Sequence, residues 1–457
     1  MRRRCVENQI AGLKASALSL IALMLLAGHL SAQMSLREAV EIALRQNPQI
    51  RASAARVAAA HKGVDFARSQ FYPRLDLSAS YREQAPDVTF RLPPAIGGAF
   101  GEITVVPHSY REFILQLAQP VYTGGKLEAA YRVAKNAAIV AELEHADWEL
   151  QLIKRVRHAY LNVLEAEAIV DVARAALQRV EELKRVVISM FEAGKVAKFD
   201  VLRVEAELAQ SYEELVRAQN ALELARSAFN TLLARGVDAP AELVRITEPP
   251  KYAEELTRED AEAISLKLAM AQRPNLKAAL RSVELAEQRV KLAAADRMPS
   301  ISLATMFRRQ TRTGFAAAES KAAMLIIQAP LFDSGRVDAQ VEQAKAELRS
   351  AMEILSATEK QVALEVRQSL LNWRSAQERL KAATAALEQA EEAYRIAKLR
   401  YEAGVGTNVE VLDTQVALTR ARTNLVRAFH DLHRSAADFD YAVGKPVEQV
   451  LAELSQQ

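Results

Sequence analysis

The sequence predicts a mostly α-helical chain, one large unit used twice, with two short strand pairs inserted among long helices. Three observations predict it: an internal repeat, two long stretches without glycine or proline, and two segments where the apolar period changes from helical to alternating. Gln46-Asn47-Pro48-Gln49-Ile50 returns as Gln272-Arg273-Pro274-Asn275-Leu276, and Pro73-Arg74-Leu75 as Pro299-Ser300-Ile301, each 226 residues on. Gln119-Pro120-Val121-Tyr122 returns as Ala329-Pro330-Leu331-Phe332, and Phe191-Glu192-Ala193-Gly194 as Tyr401-Glu402-Ala403-Gly404, now 210 residues on. The register changes once, so the first copy carries 16 extra residues between Pro73 and Pro120. Two copies of one unit, 33–245 and 246–457, imply a pseudo-symmetric fold and not two unrelated domains.

Residues 1–32 read as a secretory signal: Arg2, Arg3, Arg4 and Lys14, an apolar run from Ala15 to Ala27, then small residues at Ser31 and Ala32. The run is too short for a membrane span, and Cys5 lies on the wrong side of it for a lipid anchor. No cysteine follows, so disulfides and Cys-based metal sites are excluded from the mature chain. Without the signal the chain keeps 56 of its 60 basic and 56 of its 57 acidic residues, a formal charge of zero. Nucleic-acid binding therefore loses its electrostatic basis, and no nucleic-acid partner is expected.

In the first copy a short helix leads to Pro48, which suits a helix first turn, and 48–70 runs on as helix. After Pro73 the pattern alternates. Leu75, Leu77, Ala79 and Tyr81 share one face, and Arg74, Asp76, Ser78, Ser80 and Arg82 the other. The return strand sets Phe113, Leu115 and Leu117 against Glu112, Ile114 and Gln116, which predicts a hairpin over about 73–120. Residues 126–193 contain neither glycine nor proline and form one helix, roughly 100 Å long at ~1.5 Å per residue. Gly194 ends it, and 200–235 returns as a helix of about half that length. The second copy repeats the order: helix 274–296, hairpin about 299–330, helix 336–403, Gly404, helix 410–443. Its long helix has the three-four apolar spacing of a coiled coil, with much of the seam built from alanine: Val337, Val341, Ala344, Leu348, then Trp373, Ala376, Leu380, Ala383 and Leu387.

Strands of about ten residues with one apolar and one polar face are the signature of a membrane barrel with a wet interior. Aromatics Phe71, Tyr72, Tyr122 and Phe332 stand at the strand ends nearest the helices, where an interfacial girdle belongs. Four strands cannot close a barrel, and hydrocarbon tolerates no open edge. Two chains would give eight strands with a filled interior, whereas three give twelve and a conduit. A trimer is therefore expected, with a twelve-strand barrel continuing into a twelve-helix tube.

Leu36…Ala39…Ala43-Leu44…Asn47-Pro48, Tyr72-Pro73-Arg74-Leu75, Pro330-Leu331-Phe332-Asp333-Ser334-Gly335-Arg336 and the paired glycine turns together resemble the TolC family of outer-membrane efflux proteins, over essentially the whole mature chain. The resemblance implies a homotrimeric, non-enzymatic exit duct in the outer membrane of a Gram-negative-type bacterium, with its helices in the periplasm. It also implies a periplasmic adaptor, an inner-membrane pump of RND or ABC type, outer-membrane lipid as surroundings, and no cofactor. Matched turn for turn, Glu410 and Asp413 take the positions of the carboxylates at the pore constriction. Asp200 and Tyr401 match a hydrogen-bonding pair at the gate. Gly194, Lys195, Gly404 and Val405 match adaptor-docking turns. Gly406 stands where the best-known member has a basic locking residue, leaving Lys195 or Lys198 as substitutes. The plainer reading of Asp200 and Glu410 is that they favour helix starts.

His430 and His433 lie one turn apart, but a lone pair near a charged helix end reads as solvent-facing, and no metal site is expected. No nucleophile motif or phosphate-cradling loop is present. The alternative to a duct is a periplasmic coiled-coil adaptor or envelope scaffold. An adaptor normally has one long coiled-coil hairpin beside compact β domains that this chain lacks, and a scaffold would not need two amphipathic strand hairpins. Either would be purified soluble after removal of any anchor.

Overall fold

The computed structural model describes residues 33–91, 102–250, 260–311 and 317–454; the expected signal, 1–32, lies outside them. The first repeat contains α1 (Leu36–Gln46), α2 (Pro48–Ser69), β1 (Arg74–Glu83), β2 (Val88–Arg91), β3 (Glu102–Val106), β4 (Ser109–Tyr122), α3 (Lys126–Glu192) and α4 (Lys198–Leu232). The second contains α5 (Ala261–Gln272), α6 (Pro274–Ala295), β5 (Ser300–Gln310), β6 (Glu319–Gln328), α7 (Arg336–Glu402), α8 (Asn408–Val443) and α9 (Val447–Leu454). Helices α3 and α7 are each 67 residues long. No described helix is long and apolar enough to cross a membrane.

The chain forms two compact units that cut across the repeats. One holds 1–51, 148–273 and 362–457, so far as described; the other holds 52–147 and 274–361. Each unit draws on both repeats, because α3 and α7 run through both.

In the larger unit, α1, α4, α9 and the middle of α3 bury Val40, Val156, Phe229 and Leu233 completely. The second repeat places Val366, Phe439 and Val443, each 210 residues on, in an equivalent core around the fully buried Trp373. The restart at Pro48 has a local cause. Asn47 accepts the Gln49 N–H at 2.9 Å through its side-chain oxygen and donates to the Leu232 carbonyl at 2.9 Å. It thus caps α2 while tying it to the end of α4.

In the smaller unit, the four strands form one antiparallel sheet in the order β1-β4-β5-β6. Directly opposed residues share a face, so the register tests the expected alternation. Leu75 faces Leu117, Leu77 faces Leu115 and Phe307 faces Lys321, whereas Asp76 faces Gln116 and Ser80 faces Glu112. Leu115 in turn meets Phe307, and Glu112 meets Gln310. One face is mainly apolar across all four strands, and Leu75, Leu77, Leu325 and Ile327 on it are each 60–65% exposed. Strands β1 and β6 each leave an edge unpaired among the described residues.

The four strands expected per chain are those of the main sheet, and β2 and β3 make a second, two-stranded sheet. The 16 extra residues of the first repeat fall in this stretch, where the hairpin continues past β1 and β4 instead of ending in a tight turn.

Candidate functional site

The two glycine turns lie in the larger unit, where the C-terminal ends of α3 and α7 meet the starts of α4 and α8. Val187, Val201, Val204, Tyr401, Val411 and Leu412 are buried together there. Both long helices stop in the same way. Gly194 and Gly404 have φ of 69° and 75°, a left-handed conformation that side chains rarely adopt. The following residue then folds back, Lys195 N–H donating to the Met190 carbonyl at 2.9 Å and Val405 N–H to the Arg400 carbonyl at 3.0 Å. Lys195 and Val405 are exposed beyond these turns, Val405 by 69%.

Gly406 has a steric reason. A Cβ there would lie 3.0 Å from the Tyr401 nitrogen and 3.1 Å from the Arg400 carbonyl carbon, because the Gly406 N–H also donates to the Arg400 carbonyl. The turn leaves no room for a larger residue without a backbone shift. Of the suggested substitutes, Lys198 lies with its ammonium 5.6 Å from the centre of the Phe191 ring.

Asp200 sits in the first turn of α4, and its Oδ2 accepts the Ala197 N–H at 3.2 Å. It therefore stabilises the helix start, satisfying a donor that the helix itself leaves free. The Asp200 carbonyl accepts from the Asn408 side chain at 3.2 Å, which joins α4 to the start of α8. Tyr401 is 4% exposed, and its hydroxyl has no hydrogen-bond partner among the described residues. Burial, and then the negative charge of Asp200, push this phenol above its ordinary range. The structure brings Asp200 close enough to act on Tyr401 electrostatically, but the single chain makes no hydrogen bond between them.

Glu410 and Asp413 are exposed on the first turns of α8. Thr407 caps this helix, its hydroxyl accepting the Glu410 N–H at 3.3 Å. The capping oxygen comes from Thr407, which leaves the Glu410 side chain at the surface. Their separation of three residues puts both carboxylates on one side of α8. Sequence reasoning missed a third carboxylate, Glu207 on α4. Burial raises its pKa first, then the charge of Glu214; Arg203 opposes this and Asp413 adds to it. Asp413 on α8 thus lies near enough to add a small repulsion to another acid on α4. The 210-residue register could have led to it, because it equates Asp413 with Arg203, one helical turn before Glu207.

His430 and His433 are buried, at 6% and 5% exposure, which corrects the solvent-facing expectation. Both rings pack on Phe429, at centroid distances of 5.4 and 4.8 Å. His430 Nδ1 lies 2.8 Å from the Val426 carbonyl. Burial lowers both pKa values, and that of His433 falls to about 4. Beside them Arg157 and Asp440 form an ion pair at 2.5 Å, with side chains only 6% and 5% exposed. The helix end looked charged in sequence because its charges are paired inward. No group of three or more potential metal ligands occurs among the described residues.

The profile of the family described as "Outer membrane efflux protein" matches residues 39–235 and 265–445, most of both repeats. The chain is 24% identical over 442 residues to outer membrane protein TolC of Salmonella enteritidis, covering 93% of this chain and 85% of that protein. The outer membrane protein VceC of Vibrio cholerae has a similar fold, with a TM-score of 0.74 at 22% identity over 90% of this chain and 96% of that one. The Campylobacter jejuni CmeC outer membrane channel is also similar, with a TM-score of 0.78 at 18% identity over 92% of this chain and 89% of that one. Unbroken helices ending in paired glycine turns, a sheet with one apolar face and a profile match spanning both repeats agree: the chain belongs to the outer membrane efflux protein family, an exit duct of the Gram-negative outer membrane and not an enzyme.

Proposed function

We propose that three copies of the chain form this duct, each giving four strands to a twelve-strand barrel and four lengths of helix to a twelve-helix periplasmic tube. It passively conducts substrates handed over by a periplasmic adaptor and an inner-membrane pump of RND or ABC type. The observation that carries the reading is the four-stranded sheet with an exposed apolar face and two unpaired edges. Hydrocarbon would leave those edge groups unsatisfied, so edges must pair between chains.

At the entrance Glu410 and Asp413 line the constriction, six carboxylates in the trimer. Asp200 and Tyr401 form the gate contact. The buried, unpartnered Tyr401 hydroxyl supports this, since such a group lacks a hydrogen bond that the closed assembly would supply. The turns at Gly194-Lys195 and Gly404-Val405 receive the adaptor. Light scattering in mild detergent tests the assembly, and a trimer is expected. A monodisperse monomer with native helicity would exclude the closed barrel, and with it the duct as drawn.

A further inference from the structure

The apolar face of the main sheet changes character along its length. Going away from the helices, its cross-strand rows are Leu75–Leu117–Thr305–Ala323, Leu77–Leu115–Phe307–Lys321, Ala79–Phe113–Arg309–Glu319 and Tyr81–Arg111–Thr311. The face thus carries three cations, Arg111, Arg309 and Lys321, one on each of β4, β5 and β6. Each is displaced from the next by one strand and two residues, a diagonal spacing of roughly 7–8 Å. Nearer the helices the same face has Leu303, Leu325, Ile301 and Ile327 and no lysine or arginine.

The cations are held differently. Arg309 Nε lies 3.6 Å from Glu319 Oε1, with both side chains more than half exposed. Lys321 Nζ lies 5.9 Å from the centre of the Phe307 ring. Arg111 lies 5.8 Å from the centre of the Tyr81 ring and makes no ion pair among the described residues. A hollow of about 670 Å³ opens between Arg111 and Arg309, lined by Ala79, Tyr81, Arg111, Phe113, Arg309 and Thr311, with Ser80, Glu112 and Gln310 between them also reaching it. Six of the nine are alternate residues of three strands, so their side chains, both guanidinium groups included, share the apolar face.

Physical chemistry restricts what can lie against such a surface. A lipid-facing arginine is costly at mid-bilayer and nearly free of cost at the interface, so these cations mark headgroup depth. Two guanidinium groups on one side of a hollow suit a phosphate, which arginine can grip with two parallel hydrogen bonds. The aromatic floor and the leucine rows leading to it suit acyl chains. A soluble phosphate would leave that apolar part unused.

We propose that this hollow binds the phosphate-bearing headgroup of an outer-leaflet lipid, with its acyl chains along the leucine rows. The proposal rests on reading the apolar face as lipid-facing and the strand ends away from the helices as exterior. Arg111 and Arg309 hold the phosphate, and Lys321 stands one diagonal step nearer the acyl chains.

The test uses the full-length protein in mild detergent and native mass spectrometry. Bisphosphorylated lipid A, monophosphorylated lipid A and phosphatidylethanolamine are added separately at equal concentration. The wild type should retain them in that order. Arg111→Gln/Arg309→Gln should weaken retention of bisphosphorylated lipid A at least tenfold, and Arg82→Gln, on the polar face, should leave it unchanged. If the double variant does not assemble, Arg111→Gln alone should still lower it severalfold. Equal retention by wild type and arginine variants would overturn the site, as would displacement of the lipid by inorganic pyrophosphate at the same concentration. Planar-bilayer conductance keeps the two readings apart. Normal conductance with unchanged lipid retention refutes only the lipid site, whereas a wild type that neither conducts nor needs detergent refutes the duct.

Discussion

Acid should destabilise the helical unit through His433, and the size of the effect follows from its surroundings. The ring is 5% exposed and its Nε2 has no hydrogen-bond partner among the described residues. Burial, His430 and Arg157 all disfavour a proton, outweighing a hydrogen bond to the Glu248 backbone, and the pKa falls from 6.5 to about 4. The carboxylates nearby are engaged elsewhere: Asp440 with Arg157, and Glu165 and Asp431 with Arg434. Above pH ~6.5 the folded and unfolded chains are both neutral at this site. Below it the unfolded chain binds a proton that the fold refuses, so stability drops by about 1.4 kcal/mol per pH unit down to pH ~4, roughly 3 kcal/mol in all. His430, also lowered by burial, acts in the same direction. Denaturant unfolding followed by the helical circular dichroism signal, at pH 7 and pH 4.5, measures this in wild type and His433→Gln. The wild type should lose about 2–3 kcal/mol more than the variant over that interval. All carboxylates titrate in both proteins, so the difference isolates His433. An identical loss in both would show that His433 is protonated in the fold, and the burial argument would fail.

Three further outcomes are expected. Leu77→Arg places a charge on the lipid face at a cost of about 2–4 kcal/mol, whereas Ser78→Arg, on the polar face, should be tolerated; equal outer-membrane yields would mean the facing is reversed. Replacing Glu410 and Asp413 with alanine should lower cation preference in planar bilayers and weaken block by multivalent cations from the periplasmic side, and unchanged selectivity would move the constriction elsewhere. Gly406→Arg brings a Cβ against the Tyr401 and Arg400 backbone, so it should destabilise the turn by about 1–3 kcal/mol instead of restoring a basic lock; a melting temperature equal to wild type would contradict this.

The architecture was legible because its signals are long. Sixty-seven residues without a helix breaker, and strands whose apolar residues alternate over ten positions, leave few alternatives. The repeat register located Gly194 and Gly404 together, since each turn confirms the other. What stayed hidden depends on pairing between distant residues. His430 and His433 read as surface residues beside charges, but Arg157 comes from 276 residues before His433 to neutralise Asp440 and close the helix end. Glu207 lay hidden for a similar reason, because its environment includes Asp413 on another helix. The crowding at Gly406 depends on how tightly its turn wraps beneath Arg400, a matter of tenths of an ångström.

The unpaired edges of β1 and β6 also bear on how copies are counted during biogenesis. A contact of one copy's β6 with the next copy's β1 joins two different surfaces, and such head-to-tail joints form rings or open-ended filaments equally well. Edge chemistry therefore cannot specify three. In the proposed trimer, that number follows from how far each four-stranded sheet turns the chain before offering its next edge. A substitution that flattened the sheet while preserving every edge hydrogen bond would change ring size, or prevent closure and leave a growing polymer. Before the last edge closes, the nascent assembly presents the kind of sticky strand that cells must shield from aggregation.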